Sequence, residues 1–164
     1  MGTVLARVPP LPGLAEHLGP GAGGHAHPVA SPNMLTQVSA VAFGCPVHLG
    51  APSAAMLAFL ARTSGLWINR GLAAMPATTF VAAGSGGGAE AALAALWSVL
   101  ASHGMIIVPG VPEAADRPGG GPMGAVMAAG HDDAAALNCA RAQGARLAHV
   151  AGALMAGHLA GRAE

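Results

Sequence analysis

The chain has no lysine and no tyrosine. Its seven basic side chains are all arginine and seven acids balance them, so charged residues make up 9% and the formal net charge is zero. An ordinary soluble domain carries ~25% charged residues. Zero net charge excludes the basic footprint that phosphate backbones demand, so no nucleic-acid partner is expected. Aromatics reach only 3%, which leaves little surface for ring stacking. Two cysteines, Cys45 and Cys139, build no disulfide framework and point to a reducing, cytoplasmic setting. A membrane span is not expected either. The longest apolar run, Leu147 to Gly161, carries His149 and His158 and falls short of the ~20 residues needed. Pro9, Pro10 and Pro12 interrupt the N-terminal stretch before a signal-type apolar segment can form. A hydrophobic share of 53% with so little charge is nonetheless the wrong composition for disorder.

Glycine (25) and proline (13) are abundant, and their placement punctuates the chain. Its 164 residues fit a single domain, 1–164. Thr3 to Val8 is a short β-type run, stopped by Pro9-Pro10-Leu11-Pro12-Gly13, and 14–33 reads as irregular. Ser39 to Gly44 is short and nearly all apolar, as a strand buried on both faces would be; Cys45-Pro46 ends it and a loop runs through Gly50. Pro52 or Ser53 opens a helix with Met56, Leu57, Leu60 and Ala61 at helical spacing, ended by Gly65. Thr78 to Ala83 is a β-branched run leading into Gly84-Ser85-Gly86-Gly87-Gly88. A helix follows from Ala89 to about His103, with Leu93, Leu96, Trp97 and Leu100 on one face and Gly104 as its cap. Met105 to Val108 is a third buried strand. A Gly/Pro loop, 109–124, then precedes a long helix from near Asp132 or Asp133 to about Gly161.

Apolar strands alternating with helices predict an α/β fold with a parallel sheet and helices on both faces. Ligands of such sheets bind outside the carboxyl ends of the strands. Here those ends are Cys45–Gly50, Gly84–Gly88 and Pro109–Met123, all rich in Gly or Pro.

Six segments carry a resemblance. Gly44-Cys45-Pro46, followed by Phe59-Leu60 and Gly65-Leu66-Trp67, resembles "FGTPTRFG…FLDQTGGLW" of the NAD(P)H:quinone oxidoreductases of the tryptophan-repressor-binding (WrbA) group. Gly84 to Glu90 parallels their "GTGGGQE", and Ser102 to Pro109 parallels "HHGMVIVP". Gly120 to Ala125 parallels "GGTPYGA", and Ala140 to Gly144 parallels "ARYQG". The matches run in order over about 39–155. The resemblance implies a three-layer flavodoxin-like fold, bound FMN, NAD(P)H as electron donor, a quinone acceptor and a homo-oligomer, dimer or tetramer. Carried over by position, Val47, His48 and Leu49 would form one flavin loop. Ala82, Ala83, Gly84, Ser85, Gly86 and Gly87 would form a second, with Ser102 at a further flavin position. Trp67 and His103 would border the substrate as catalytic residues. Glycines after a strand suit this role, because no Cβ keeps backbone N–H groups away from a flat ring.

The departures are as specific. The family begins with a strand and a hydroxyl-rich turn, "S-x-x-G", that cradles the FMN phosphate at a helix N-terminus. Nothing of that form is present, so the first strand and phosphate loop are missing or degenerate and 1–38 is a degenerate N-terminal part ahead of a core at 39–162. Residues 3–8 resemble the family's second strand, "GAEVVVKRVPE", or else occupy the vacant first-strand position. The first strand would then lie upstream of Met1 or not exist. Its absence leaves sheet edges unpaired, which invites strand donation. The flavin-loop Arg is His48, the aromatic after it is Leu49, the flavin-contacting His is Ser102 and the Tyr of "GGTPYGA" is Met123. Two readings follow: a divergent FMN-dependent quinone reductase whose FMN binding is weakened or lost, or a non-catalytic subunit that associates with itself or with a paralogue. No metal site is expected, although Cys45 and His48 stand at C-x-x-H spacing and His25 and His27 form a pair. Cys45, with no Arg beside it, reads as a buried small hydrophobe, and Trp97 as core.

Overall fold

The structure, a computed structural model, describes residues 2–12, 27–84, 87–110, 121–128 and 134–160. After a 3-10 turn at Pro32–Gln37, strand β1 (Val41–His48) runs straight through Cys45-Pro46 instead of ending there. Proline fits because its carbonyl faces the outer edge of the strand, where it accepts the Ser53 N–H at 3.1 Å, so no ladder donor is lost. The expected loop through Gly50 is a tight hairpin into β2 (Ala51–Pro52), with Val47 opposite Pro52 and His48 opposite Ala51. Its two turn residues, Leu49 (φ 51°) and Gly50 (φ 80°), are both left-handed, as this turn type requires.

Ser53 caps helix α1 (Ala54–Ala61), its hydroxyl accepting the Met56 N–H at 3.4 Å. Gly65 does not stop the helical region. The Thr63 carbonyl accepts from Leu66 and Trp67, so a new short helix, α2 (Ser64–Ile68), forms around Gly65. Strand β3 (Pro76–Ala83) leads to α3 (Ala89–Ser102), which Gly104 terminates at φ 70°. Strand β4 is only Ile106–Ile107, and helix α4 covers Ala134–Ala160. Asp132 and Asp133 lie outside the described residues.

The sheet order is β2-β1-β3-β4, with β1, β3 and β4 parallel. A strand not anticipated from sequence, β5 (Val126–Ala128), pairs with the last three residues of β3, while β4 pairs with its first two. Two short strands therefore share one edge of β3, leaving a gap beside Thr78–Phe80. The main core lies on one face. There Leu93, Leu96 and Leu100 of α3 meet Ala77, Val81 and Ala83 of β3, Phe43 and Cys45 of β1, and Met56, Phe59 and Leu60 of α1. Trp97, expected in that core, is half-buried beside it. On the other face α4 packs on β3 and β5, burying Ala136, Cys139, Leu147 and Ala151. The β1 half of that face carries no helix among the described residues. Ala42 and Pro46 are exposed there, and the Phe80 ring lies across Gly44, its register partner, where a Cβ would stand 2.1 Å from the ring.

Thr3–Val8 forms no strand. A single parallel bridge, Arg7 to Val29, is its only pairing, so among the described residues this run fills neither strand position the sequence left open.

Candidate functional site

At the carboxyl ends of β1 and β3 the hairpin tip Leu49–Gly50 meets the turn Gly87–Gly88. Gly88 sits at φ 76°, and a Cβ placed on it would stand 2.5 Å from the Gly50 Cα. Gly88 is thus demanded by the approach of one turn to the other, and Gly50 by its own left-handed turn conformation. Around this junction His48, Leu49, Ala82, Gly84 and Gly87 are exposed and Val47 is half-buried. Ala83 is buried in the core at 1% exposure. Ser85 and Gly86 fall outside the described residues. Leu49 is the extreme case, an apolar side chain 107% exposed at a turn tip in a left-handed conformation. Such a position costs about 1–2 kcal/mol for a non-glycine residue and concentrates at ligand clamps.

The third loop is held to the sheet by a network that sequence reasoning missed. Gln143 of α4, 3% exposed, accepts the Ala125 N–H at 2.8 Å on Oε1. Its Nε2 donates to the Thr79 carbonyl at 2.8 Å and to the Thr78 hydroxyl. The Thr78 hydroxyl donates in turn to the Val108 carbonyl at 2.7 Å, and the Thr79 hydroxyl to the Met123 carbonyl at 3.3 Å while accepting from Trp97 Nε1 at 3.0 Å. The carboxamide works as a substitute peptide group in the gap between β4 and β5. Gly124 (φ 145°) is forced by the same closeness, since a Cβ there would stand 2.0 Å from the Thr79 carbonyl. A signal existed: Gln143 lies on the stripe Ala136, Cys139, Leu147 of an otherwise apolar helical face.

Trp67, Ser102 and His103 are not brought to these loops. α3 starts at the Gly88 turn and ends at His103, roughly 20 Å away at 1.5 Å per residue, beside the amino end of β3. There the Gly104 carbonyl accepts from Ala74 N–H, just ahead of Pro76. Trp67 Nε1 donates to the Ser102 carbonyl at 2.9 Å, so the Ser102 backbone anchors the indole, which stays 57% exposed. Thr63 is fully buried; its hydroxyl donates to the Leu60 carbonyl at 2.6 Å and lies 2.8 Å from His103 Nε2. With the hydroxyl proton committed, His103 must donate from Nε2, which leaves Nδ1 as a bare, buried acceptor with no partner among the described residues. Burial pushes the His103 pKa down, because an imidazolium would place a second N–H in that unsolvated position. Within one chain these residues tie α2 to the end of α3.

Val47–Gly50, Ala82–Gly84, Gly87–Gly88 and Gly121–Gly124 contain no Asp, Glu, Lys or Arg. Glycine turns with an apolar tip fit a flat, neutral ring system. Pro9-Pro10-Leu11-Pro12 offers one backbone N–H and no hydroxyl, so that turn is no phosphate cradle. No group of three His, Cys, Asp or Glu side chains assembles among the described residues. Cys45 faces the core, its thiol pushed up by burial against opposing hydrogen bonds from Ser53, while His48, an odd number of residues along the strand, faces the other side. No described helix is long and apolar enough to cross a membrane.

Residues 5–116 match the model of the NADPH-dependent FMN reductase family. Among solved structures, a flavodoxin, WrbA-like protein from Agrobacterium tumefaciens is 21% identical over 71% of each chain, with a TM-score of 0.50. An oxidoreductase from Corynebacterium diphtheriae is 18% identical over 71% of this chain and 58% of its own, also with a TM-score of 0.50. At these identities the likeness concerns the fold, which is flavodoxin-like.

Proposed function

The chain belongs to the NADPH-dependent FMN reductase family, and from that premise we propose that it is an FMN-dependent oxidoreductase passing electrons from NAD(P)H to a quinone. The observation that carries the reading is the junction of the Leu49–Gly50 and Gly87–Gly88 turns at the carboxyl ends of two parallel strands. Val47, His48 and Leu49 would hold one side of the isoalloxazine ring, and the backbone of Ala82, Ala83, Gly84 and Gly87 the other, with Ser85 and Gly86 completing that turn. Bound FMN supplies two-electron hydride chemistry. The protein's part is to exclude water with Leu49, to direct backbone N–H groups of the glycine turn at ring heteroatoms, and to keep the third loop in place through Gln143. Trp67 and His103, proposed from the resemblance as substrate-side residues and grouped there with Ser102, lie at the far end of α3. They would act on such a ring only from a second copy of the chain.

The test is a titration of the purified protein with FMN, followed by flavin absorbance and fluorescence. Quenched, red-shifted flavin together with NAD(P)H-driven quinone reduction supports the reading, and unchanged spectra at excess FMN refute it.

A second reading is motivated by the sequence, which carries no counterpart of the family's hydroxyl-rich "S-x-x-G" phosphate turn. Charge-assisted hydrogen bonds contribute ~1.5–3 kcal/mol each, so losing several weakens FMN by orders of magnitude. On that reading the chain is a non-catalytic subunit acting by association with itself or a paralogue. Riboflavin and FMN binding with equal affinity would show that the phosphate adds nothing.

A further inference from the structure

Two parts of the chain are left with complementary, unused hydrogen-bonding capacity. Val81 N–H donates to the Ala125 carbonyl and Val108 N–H to the Ala77 carbonyl, so odd-numbered β3 residues direct their backbone groups toward β4 and β5. The even-numbered ones face β1. With Ala42 opposite Thr78 and Gly44 opposite Phe80, the ladder uses Val41, Phe43 and Cys45 and turns Ala42, Gly44 and Pro46 outward. The Pro46 carbonyl is satisfied by Ser53, and β2 covers the strand end beyond it. The N–H and C=O groups of Ala42 and Gly44 have no partner among the described residues, and Ala42 is exposed.

The second part is the arm Gly2–Ala6. It is β-prone and makes no backbone hydrogen bond to the described residues. Val4 and Leu5 are 67% and 63% exposed, and the arm is tethered only where Arg7 meets Pro28 and Ala30.

We infer that the arm of one copy pairs as a strand with the outer edge of β1 in a second copy, and that the exchange is reciprocal. A backbone edge selects an extended peptide by its alternating donors and acceptors. The uncharged surroundings of Ala42 and Gly44, with the Phe80 ring beside them, select apolar side chains such as Val4 and Leu5. Because one chain carries both the open edge and the free arm, a two-fold pair closes both at once and leaves no open end for further growth. Two five-residue arms make a small interface of the weak, reversible class.

Sedimentation across the micromolar range tests this, with flavin left out so that the outcome is independent of any cofactor. Wild type should pass from monomer to dimer. Deleting residues 2–6 should leave a monomer. Ala42→Pro should also leave a monomer, since it removes an outward N–H and no ladder bond. A wild type that stays monomeric throughout, or a dimer that survives deletion of the arm, overturns the assignment. The arm deletion leaves the β1–β3 ladder intact, so its result stands even if Ala42→Pro fails to fold.

Discussion

Replacing Gln143 by leucine tests the claim that one side-chain amide takes the place of a missing piece of strand. Leucine matches the volume and keeps the helix, so the change isolates polar satisfaction. Three bonds are lost. The Ala125 N–H, in a residue 6% exposed, loses its acceptor, and the Thr79 carbonyl loses its donor in the gap between β4 and β5. Each buried group left unsatisfied costs about 1–3 kcal/mol. The Thr78 hydroxyl keeps its bond to the Val108 carbonyl, so its loss is nearer the ~1 kcal/mol of an ordinary bond. Allowing for partial relaxation of the third loop, the expected destabilisation is about 3–5 kcal/mol, measured by urea unfolding. Amide exchange supplies the local readout: Ala125 should lose its protection in the variant while Leu96, deep in the opposite face, keeps its own relative to global stability. Gln143→Glu discriminates further. An ionised carboxylate facing the Thr79 carbonyl is unfavourable, so the folded-state pKa of that Glu is raised and the variant should gain stability as pH falls toward acid. A loss below about 1 kcal/mol in Gln143→Leu, or unchanged exchange at Ala125, would refute the reasoning.

Three other outcomes follow from the geometry. His103 is held neutral, with its pKa below the ordinary value, so between the two values the unfolded chain binds a proton that the folded chain does not. Stability should therefore fall as pH drops below ~6.5, and His103→Gln should flatten that part of the unfolding-versus-pH curve. Leu49→Asn relieves a left-handed strain and should raise the thermal midpoint by the equivalent of about 0.5–1 kcal/mol, while weakening FMN binding in the titration; a lowered midpoint would contradict the strained turn. Gly44→Ala should be destabilising in the wild type because the Phe80 ring occupies the Cβ position, and close to neutral in a Phe80→Ala background. A double-mutant cycle should read a coupling of about 1–2 kcal/mol, and additive losses would show that the ring moves aside freely.

The strands and helices that could be read in advance are those whose residues interact mainly with near neighbours. Leu93, Leu96 and Leu100 mark a buried stripe by spacing alone, Ser53 announces a cap, and Gly104 a stop. The alternation of short apolar strands with helices was enough for a parallel α/β sheet, and the glycine turns after β1 and β3 were recognisable as the turns at the carboxyl ends of the strands. Three kinds of feature were not. Pro46 looked like a strand end because the sequence does not say which edge a backbone faces. β5 is three residues long and exists only because β3 offers a free upper edge. Gln143 looked like an ordinary helix residue until the gap beside Thr79 defined its partners.

Chain order and local periodicity thus determined the fold class and the glycine- and proline-rich character of the turns, because those properties depend on residues within a few positions of one another. Only the folded chain decided which turns touch. It set Gly50 against Gly88 and placed Trp67 and His103 at the opposite end of α3 from the glycine loops. It also left Ala42 and Gly44 without a strand partner on their outer side among the described residues. Such pairings join residues tens of positions apart, and they are set by strand register and by the length of a connecting helix, neither of which any local stretch of residues encodes.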